Sequence, residues 1–265
     1  MTARDAAIAK LDGVVDGIAT DADTAAELFA VVDVLDGQPM LRRSLSDPSA
    51  SDESRAELVN RLLAGKVSPA TLAVLEGVVK APHRSGNALV AALDRQGVRL
   101  ALRQARESGQ LDAVVAELFQ VSSLVGGNAE LEATLRNPAY PVEAKRGLVA
   151  KLIAGRVSPT TAALANRAVN ARRRTFGLTV QGYLDMAAKL AGQRIARVTV
   201  ARELDEARVA RLTSALEAQV GSPVTVQVTV DPAVLGGVNV SLGDDVYEST
   251  VAARLEDARR QLINL

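Results

Sequence analysis

The sequence LLAGKVSP at residues 62–69 returns as LIAGRVSP at residues 152–159, ninety residues further along the chain. The match extends without a gap over residues 27–101 and 117–191, where 25 of the 75 aligned positions are identical. Two unrelated helical stretches rich in Ala and Leu would not keep Gly, Ser and Pro in the same register. The chain therefore contains an internal duplication.

Each copy has the pattern of a small helical bundle. In the first copy, Leu58 and Leu62 fall on one face of a helix, because residues four apart face the same side. Gly65 stands where a helix C-terminus requires a positive φ. Ser68 and Pro69 supply an N-cap and a first-turn Pro for the next helix. The same residue types recur in the second copy, so we expect a second bundle there.

Residues 89–107, between the two copies, read as a basic amphipathic helix, and no linker rich in Pro or Ser separates the copies. We predict that one continuous helix joins the two bundles and fixes their relative orientation. Rapid proteolytic cleavage near Gly97 that leaves two stable halves would contradict this prediction.

The pattern changes after the second copy, where alternation of apolar and polar residues predicts β-strands. Three segments alternate in this way: residues 194–200, 224–230 and 238–242. A helix with Asp205 as its N-cap follows the first strand, and a turn at residues 243–245 leads to a last helix. The apolar stripe of that last helix comprises Val251, Leu255, Ala258 and Leu262.

These patterns predict a mainly α fold, in which two tandem helical bundles are followed by a small α/β C-terminal domain. The predicted domains are residues 1–97, 98–191 and 192–265. A chain of 265 residues is long enough to bury a core in each of them.

The composition argues against an enzyme. The chain has no Cys and a single His, His83, so thiol nucleophiles, Cys-based zinc sites and clusters of His ligands are excluded. His83 reads as a polar or basic loop residue, since Arg173 occupies the equivalent position of the second copy. We predict no catalytic, cofactor-binding or metal-binding residues.

Several short motifs fall short of a ligand site. Gly65-Lys66 lacks the earlier Gly and the following Ser or Thr of a phosphate-binding loop. Gly236-Gly237 precedes no helix, and Asp244 with Asp245 reads as a turn rather than a catalytic carboxylate pair. Each of these motifs is better explained by local backbone structure.

The charges and the hydropathy exclude two classes of partner. The formal net charge is zero, with 31 basic and 31 acidic residues, so the basic excess of a general nucleic-acid binder is absent. No uncharged run is long enough to span a bilayer, and no signal peptide is visible. The basic run at residues 172–174 fits either a solvated helix end or a contact with an acidic partner.

The C-terminal sequence VDPAVLGGVNVSLGD at residues 230–244 resembles the signature of ATP synthase delta subunits, the family of the mitochondrial oligomycin-sensitivity-conferring protein. Residues 248–251 resemble the step that follows it, with Glu248 and Thr250 in place of the usual Asp and Ser. Residues 98–191 resemble the N-terminal bundle of this family. The extra copy resembles the longer delta subunits of high-GC Gram-positive bacteria.

The resemblance implies a non-catalytic stator subunit of a proton-translocating F-type ATP synthase. It implies that the N-terminal bundle binds the N-terminal helix of an alpha subunit in a groove, while the C-terminal part grips the b subunit of the stalk. The protein would be peripheral at the cytoplasmic face of the cell membrane, with no cofactor, no nucleic acid and no membrane span of its own.

Contact residues for these partners follow from position within the resemblance. Candidates for the alpha helix are Leu111, Val114, Val115 and Leu118 on the opening helix and Leu178 and Tyr183 on the closing helices. Candidates for the stalk are Val251, Leu255 and Leu262. Each of them fits a core position equally well.

Two matters stay open at the level of the sequence. The alternative function is a general helical-repeat scaffold of another complex, against which the C-terminal signature argues. The role of the first bundle is undecided among binding a second alpha helix, bracing the stalk and extending the scaffold.

Overall fold

The protein is mainly helical, as the sequence predicts. The computed structural model describes residues 3–170, 175–192, 194–221, 223–231, 237–242 and 245–250. Within these residues the chain forms twelve α-helices and four β-strands, in two compact units, Met1–Gly109 and Gln110–Leu265. The predicted boundary after residue 97 falls inside a helix, and the three-domain division remains a prediction.

The first unit is a bundle of six helices. They are α1 (Ala3–Asp16), α2 (Thr24–Gly37), α3 (Pro39–Leu45), α4 (Asp52–Leu63), α5 (Pro69–Lys80) and α6 (Gly86–Glu107). The longest, α6, packs along α2 and also contacts α3 and α5. Leu28, Leu75 and Leu93 are fully buried and form part of the core. Helix α6 confirms the predicted helix at residues 89–107 and begins three residues earlier, after the N-cap Ser85.

The second unit begins with five helices that repeat α2 to α6. They are α7 (Leu111–Gly126), α8 (Ala129–Arg136), α9 (Val142–Ile153), α10 (Pro159–Val169) and α11 (Phe176–Ala191). Helix α7 packs against α11, α10 and α8. Leu118, Leu164 and Leu184 are fully buried at its centre.

The residues that the sequence assigned to helix ends take those roles. Gly65 and Gly155 have φ values of 75° and 69°, in the left-handed region that favours Gly. The hydroxyls of Ser68 and Ser158 cap α5 and α10 by accepting hydrogen bonds from the backbone N–H groups three residues later. These breaks therefore fix where the helices of each bundle turn.

A carboxylate holds each of these caps to a neighbouring helix. Oε2 of Glu27 on α2 accepts from the backbone N–H of Ser68 at 2.8 Å and from the hydroxyl of Thr71 at 2.6 Å. In the second unit, Oε2 of Glu117 accepts from the N–H and the hydroxyl of Ser158 at 2.9 and 2.7 Å. The duplication thus preserved a contact across 41 residues as well as the local sequence.

A mixed sheet follows α11. Its elements are β1 (Arg194–Val200), α12 (Glu206–Val220), β2 (Val224–Val230), β3 (Gly237–Leu242) and β4 (Asp245–Thr250). The strand order is β2-β1-β3-β4, with β1 and β2 parallel and the other two pairings antiparallel. Helix α12 contacts β2, and its Leu216 is buried with Val198 and Val240 in the core of the sheet. Asp205 caps α12 as predicted.

The structure contains one strand that the sequence pattern does not predict. The pattern after residue 243 predicts a turn and a step into a helix, whereas β4 pairs with β3 in a register that sets Leu242 opposite Asp245. Only two residues separate the paired ends, which is typical of a tight β-hairpin. The predicted last helix, with Val251, Leu255 and Leu262, lies outside the described residues.

Candidate interaction surfaces

Helix α7 carries four of the predicted contact residues, and it buries most of them. Val114 and Leu118 are 0% exposed, and Leu111 is 6% exposed. Val115 is half-buried on a neighbouring face. The helix therefore turns three of these side chains into the core of its own unit and presents Val115.

Helix α11 carries the other two predicted contact residues in the described part of the chain, and they differ in exposure. Tyr183 is buried, whereas Leu178 is 57% exposed near the start of the helix. An exposed Leu beside a helix N-terminus is available for contact without any change in the fold. Of the candidates in the described residues, Leu178 is the one that offers a free apolar side chain.

Five other exposed apolar residues of the second unit, within its described part, are not among the predicted contacts. They are Leu124, Tyr140, Val142, Leu148 and Val230. Position 124 repeats position 34, where Val34 is also exposed. The alignment of the two copies pairs these two positions, but only the structure shows that both side chains are exposed.

A cleft of about 440 Å³ lies between α7, α11 and the edge strand β2 in the second unit. Apolar and small residues form most of its wall: Leu111, Val115, Ala116, Phe119, Ala187, Ala188 and Ala191. Residues 225–228 of β2 close the other side, and Asp112 with Gln120 completes the lining. The cleft brings together Leu111 and Val115 from the predicted set.

An ion pair joins the polar face of the sheet to α11. In β1 and β2 the valines on one face pack toward α12, so Arg197 and Gln227 lie on the other face, opposite each other in register. Nη2 of Arg197 donates to Oδ1 of Asp185 on α11 at 2.5 Å. Gln227 is 6% exposed, and neither its amide nitrogen nor its amide oxygen has a hydrogen-bond partner in the described part of the chain.

In the first unit, a charge network joins α1 to α6. Asp12 accepts hydrogen bonds from Arg95 and from the buried amide of Gln96, the latter at 2.8 Å. Asp16 accepts two from Arg99, at 2.5 and 2.6 Å. These bonds span more than 80 residues, so they fix the N-terminal helix to the last helix of the bundle.

The network lowers the pKa of both carboxyls. Burial alone would raise the pKa of Asp12, but the hydrogen bonds from Arg95 and Gln96 and the positive charges of Arg95 and Arg99 outweigh it. The pKa of Asp16 is lowered first by its hydrogen bond with Arg99. Both groups are therefore ionised in the folded protein at neutral pH.

Removing one carboxyl of this network is expected to loosen α1. Asp12→Ala should lower the free energy of unfolding by about 1 to 2 kcal/mol, because it removes bonds to a charged group and leaves Gln96 unpaired. In the wild type, the stability that ionised Asp12 contributes is fully present above the unfolded-state pKa, about 3.9. It is lost as the pH falls through the lower folded-state pKa of Asp12. Urea unfolding at several pH values measures both effects.

The exposed Glu57→Ala on α4 is the control for this change. It should alter the free energy of unfolding by less than about 0.5 kcal/mol. Equal losses for the two variants, or a loss for Asp12→Ala that persists unchanged at pH 3, would contradict the assignment.

No catalytic constellation forms among the described residues. Nε2 of His83 lies 2.7 Å from the carbonyl oxygen of Val78, and burial lowers the pKa of this His. Within the described ranges, no group of acidic or His side chains gathers closely enough to hold a metal ion. The described helices also include none with the length and apolar character needed to cross a membrane. The basic run at residues 172–174 lies outside the described residues.

Comparisons with known proteins identify a family for this chain. Residues 101–262 match the model of the ATP synthase delta (OSCP) subunit family. The chain is 44% identical to ATP synthase subunit delta of Cutibacterium acnes over 262 residues, which cover 99% of this chain and 100% of that protein. It is 41% identical to the delta subunit of Nocardia farcinica, over 91% of this chain and 90% of that protein. It is 37% identical to that of Streptomyces griseus, with coverages of 97% and 96%.

Proposed function

The chain belongs to the ATP synthase delta (OSCP) subunit family and is a non-catalytic component of the peripheral stalk of an F-type ATP synthase; from this premise we propose that it ties the catalytic head to the b-subunit stalk. The second helical bundle binds the N-terminal helix of an alpha subunit, and the C-terminal part binds the b subunit. The protein is peripheral at the cytoplasmic face of the cell membrane and resists the torque of the rotor.

The range of the family match supports this division of labour. The match begins at residue 101 and ends at residue 262, so it covers the second bundle and the C-terminal part together. We propose the domain limits 1–97, 98–191 and 192–265, in which the first bundle is the added copy. Under this proposal the work is mechanical, so it depends on binding and stiffness and needs no reactive group.

Binding a helix in a groove between helices requires apolar anchors with a polar rim. Leu178 supports such a role because it is exposed, whereas Val115 lies half-buried at the wall of a separate cleft. Buried Val114 and Leu118 contribute by holding α7 in place. For the stalk contact, we keep Val251, Leu255 and Leu262 as the proposed anchors.

A reconstitution experiment tests the function as a whole. Purified protein added to membranes stripped of the subunit should restore ATP-driven proton pumping, because the head is again held against the rotor. A failure to bind the catalytic head at micromolar protein concentration would refute the proposal.

Leu178→Asp tests the alpha-subunit contact. The variant should weaken binding of a synthetic peptide with the sequence of the alpha N-terminal helix by about tenfold or more, since a charge replaces an apolar anchor. Isothermal titration calorimetry with the full chain measures this change.

Tyr140→Asp provides a matched control, because Tyr140 is 50% exposed in the same unit, between α8 and α9. Its affinity for the peptide should stay within about twofold of wild type. If both variants bind like wild type, Leu178 is not an anchor, and if both weaken equally, the loss is not specific to α11.

A further inference from the structure

We propose that the cleft between α7, α11 and β2 is a docking site for an apolar, uncharged peptide segment of another subunit, flanked by a basic residue. This inference rests on the proposed function, because it takes the protein to be part of a multi-subunit stalk. It concerns a surface separate from Leu178, which does not line the cleft.

The first argument is the wall of the cleft. Ala187, Ala188 and Ala191 on α11 line it together with Ala116 and Phe119 on α7. Small side chains let another backbone come close, and the half-buried Phe119 offers an apolar surface to pack on. A volume of about 440 Å³ lies within the range of sites that enclose a ligand. The wall by itself, however, does not specify what fills it.

The second argument is the unsatisfied amide of Gln227. Its donor and its acceptor are both buried and unpaired in the described part of the chain, which is costly for a side chain in a protein interior. A peptide group carries one N–H donor and one C=O acceptor, so it can satisfy both atoms at once. Because the terminal torsion of Gln is broad, the amide can turn toward the cleft at little cost.

The third argument is charge. Among the residues that line the cleft, Asp112 is the one that carries a charge, and it is exposed in the first turn of α7. An uncharged segment therefore suits the interior, while a basic residue beside it can pair with Asp112 at the mouth. A segment with acidic residues at either place would be repelled.

Crosslinking in the assembled ATP synthase tests the occupant. Full-length protein with Val115→p-benzoylphenylalanine places a photoreactive group on the wall of the cleft, and the same replacement at Tyr140 is the control. Irradiation of the purified complex should join position 115 to an apolar segment of another subunit, identified by mass spectrometry. Crosslinks from position 115 that stay within its own chain would overturn the proposal.

Gln227→Met tests the recognition. The substitution keeps the side-chain length and removes the amide, so it should keep or raise the thermal unfolding midpoint while it lowers the crosslink yield from position 115 about tenfold. Thr229→Val, on the exposed end of the same strand, should leave the yield unchanged. An unchanged yield for Gln227→Met would mean that the amide takes no part in binding the segment and would refute this site.

The two proposals can fail independently. Leu178→Asp reports on the alpha-subunit peptide without involving the cleft. A normal Leu178 result with no crosslink from position 115 removes the cleft alone, and the reverse result removes the proposed alpha contact alone.

Discussion

Leu118→Ala is expected to lower the free energy of unfolding by about 2 to 5 kcal/mol, the cost of emptying a Leu-sized space in a packed core. Leu118 is 0% exposed on α7, and α7 packs against α10 and α11. Urea unfolding followed by circular dichroism measures the loss. The family resemblance made Leu118 a candidate contact, and a large loss in the isolated protein would identify it as a core residue.

Leu124→Ala is the matched control, since it makes the same change on the same helix at a side chain that is 43% exposed. Its cost should stay below about 1 kcal/mol. If the two variants were equally stable, the burial of Leu118 would not describe the protein in solution.

Gly97→Val is expected to destabilise the first unit by about 3 kcal/mol, the upper part of the range for overpacking. A Cβ at position 97 of α6 would lie 2.6 Å from Cε1 of Phe29 on α2 and 2.9 Å from its Cδ1. The ring or the helix would have to move, because α2 and α6 pack closely along their length. Thermal unfolding monitored by circular dichroism at 222 nm measures the effect.

Gly182→Ala on α11 separates this clash from the general effect of replacing a helical Gly. A Cβ at position 182 meets nothing within 4 Å, so the substitution should stabilise the protein by roughly 1 kcal/mol through helix propensity. Phe29→Ala combined with Gly97→Val should recover part of the stability that Gly97→Val loses. A Gly97→Val protein as stable as wild type would contradict the close approach of the two helices.

Local chemistry explains what the sequence could predict. Ser68 as an N-cap, Gly65 at a helix end and the strand at residues 224–230 each depend on neighbours a few residues away, and all three are confirmed. The family was predicted from the order of residues near the C-terminus and is confirmed by the match over residues 101–262.

Contacts between residues far apart in the chain account for the features that the sequence could not predict. The helical pattern groups Val114, Val115 and Leu118, but only packing shows that Val115 borders a cleft while the other two are buried. The sequence predicts only that Gly97 lies within a helix, whereas the structure shows that its bare Cα leaves room for the ring of Phe29, 68 residues away. No local pattern distinguishes the unpaired Gln227 from an ordinary polar residue on a strand.

The two bundles carry opposite charges at one equivalent position. Arg95 on α6 pairs with Asp12 of α1, while Asp185, ninety residues later on α11, pairs with Arg197 of β1. Tandem domains of similar sequence are prone to exchange segments while they fold. If α1 and β1 were exchanged between the two bundles, Asp12 would lie beside Asp185 and Arg197 beside Arg95. Both pairs would repel, so the charges disfavour the exchange. The reversal of charge at this equivalent position therefore favours the pairing of each bundle with its own neighbour.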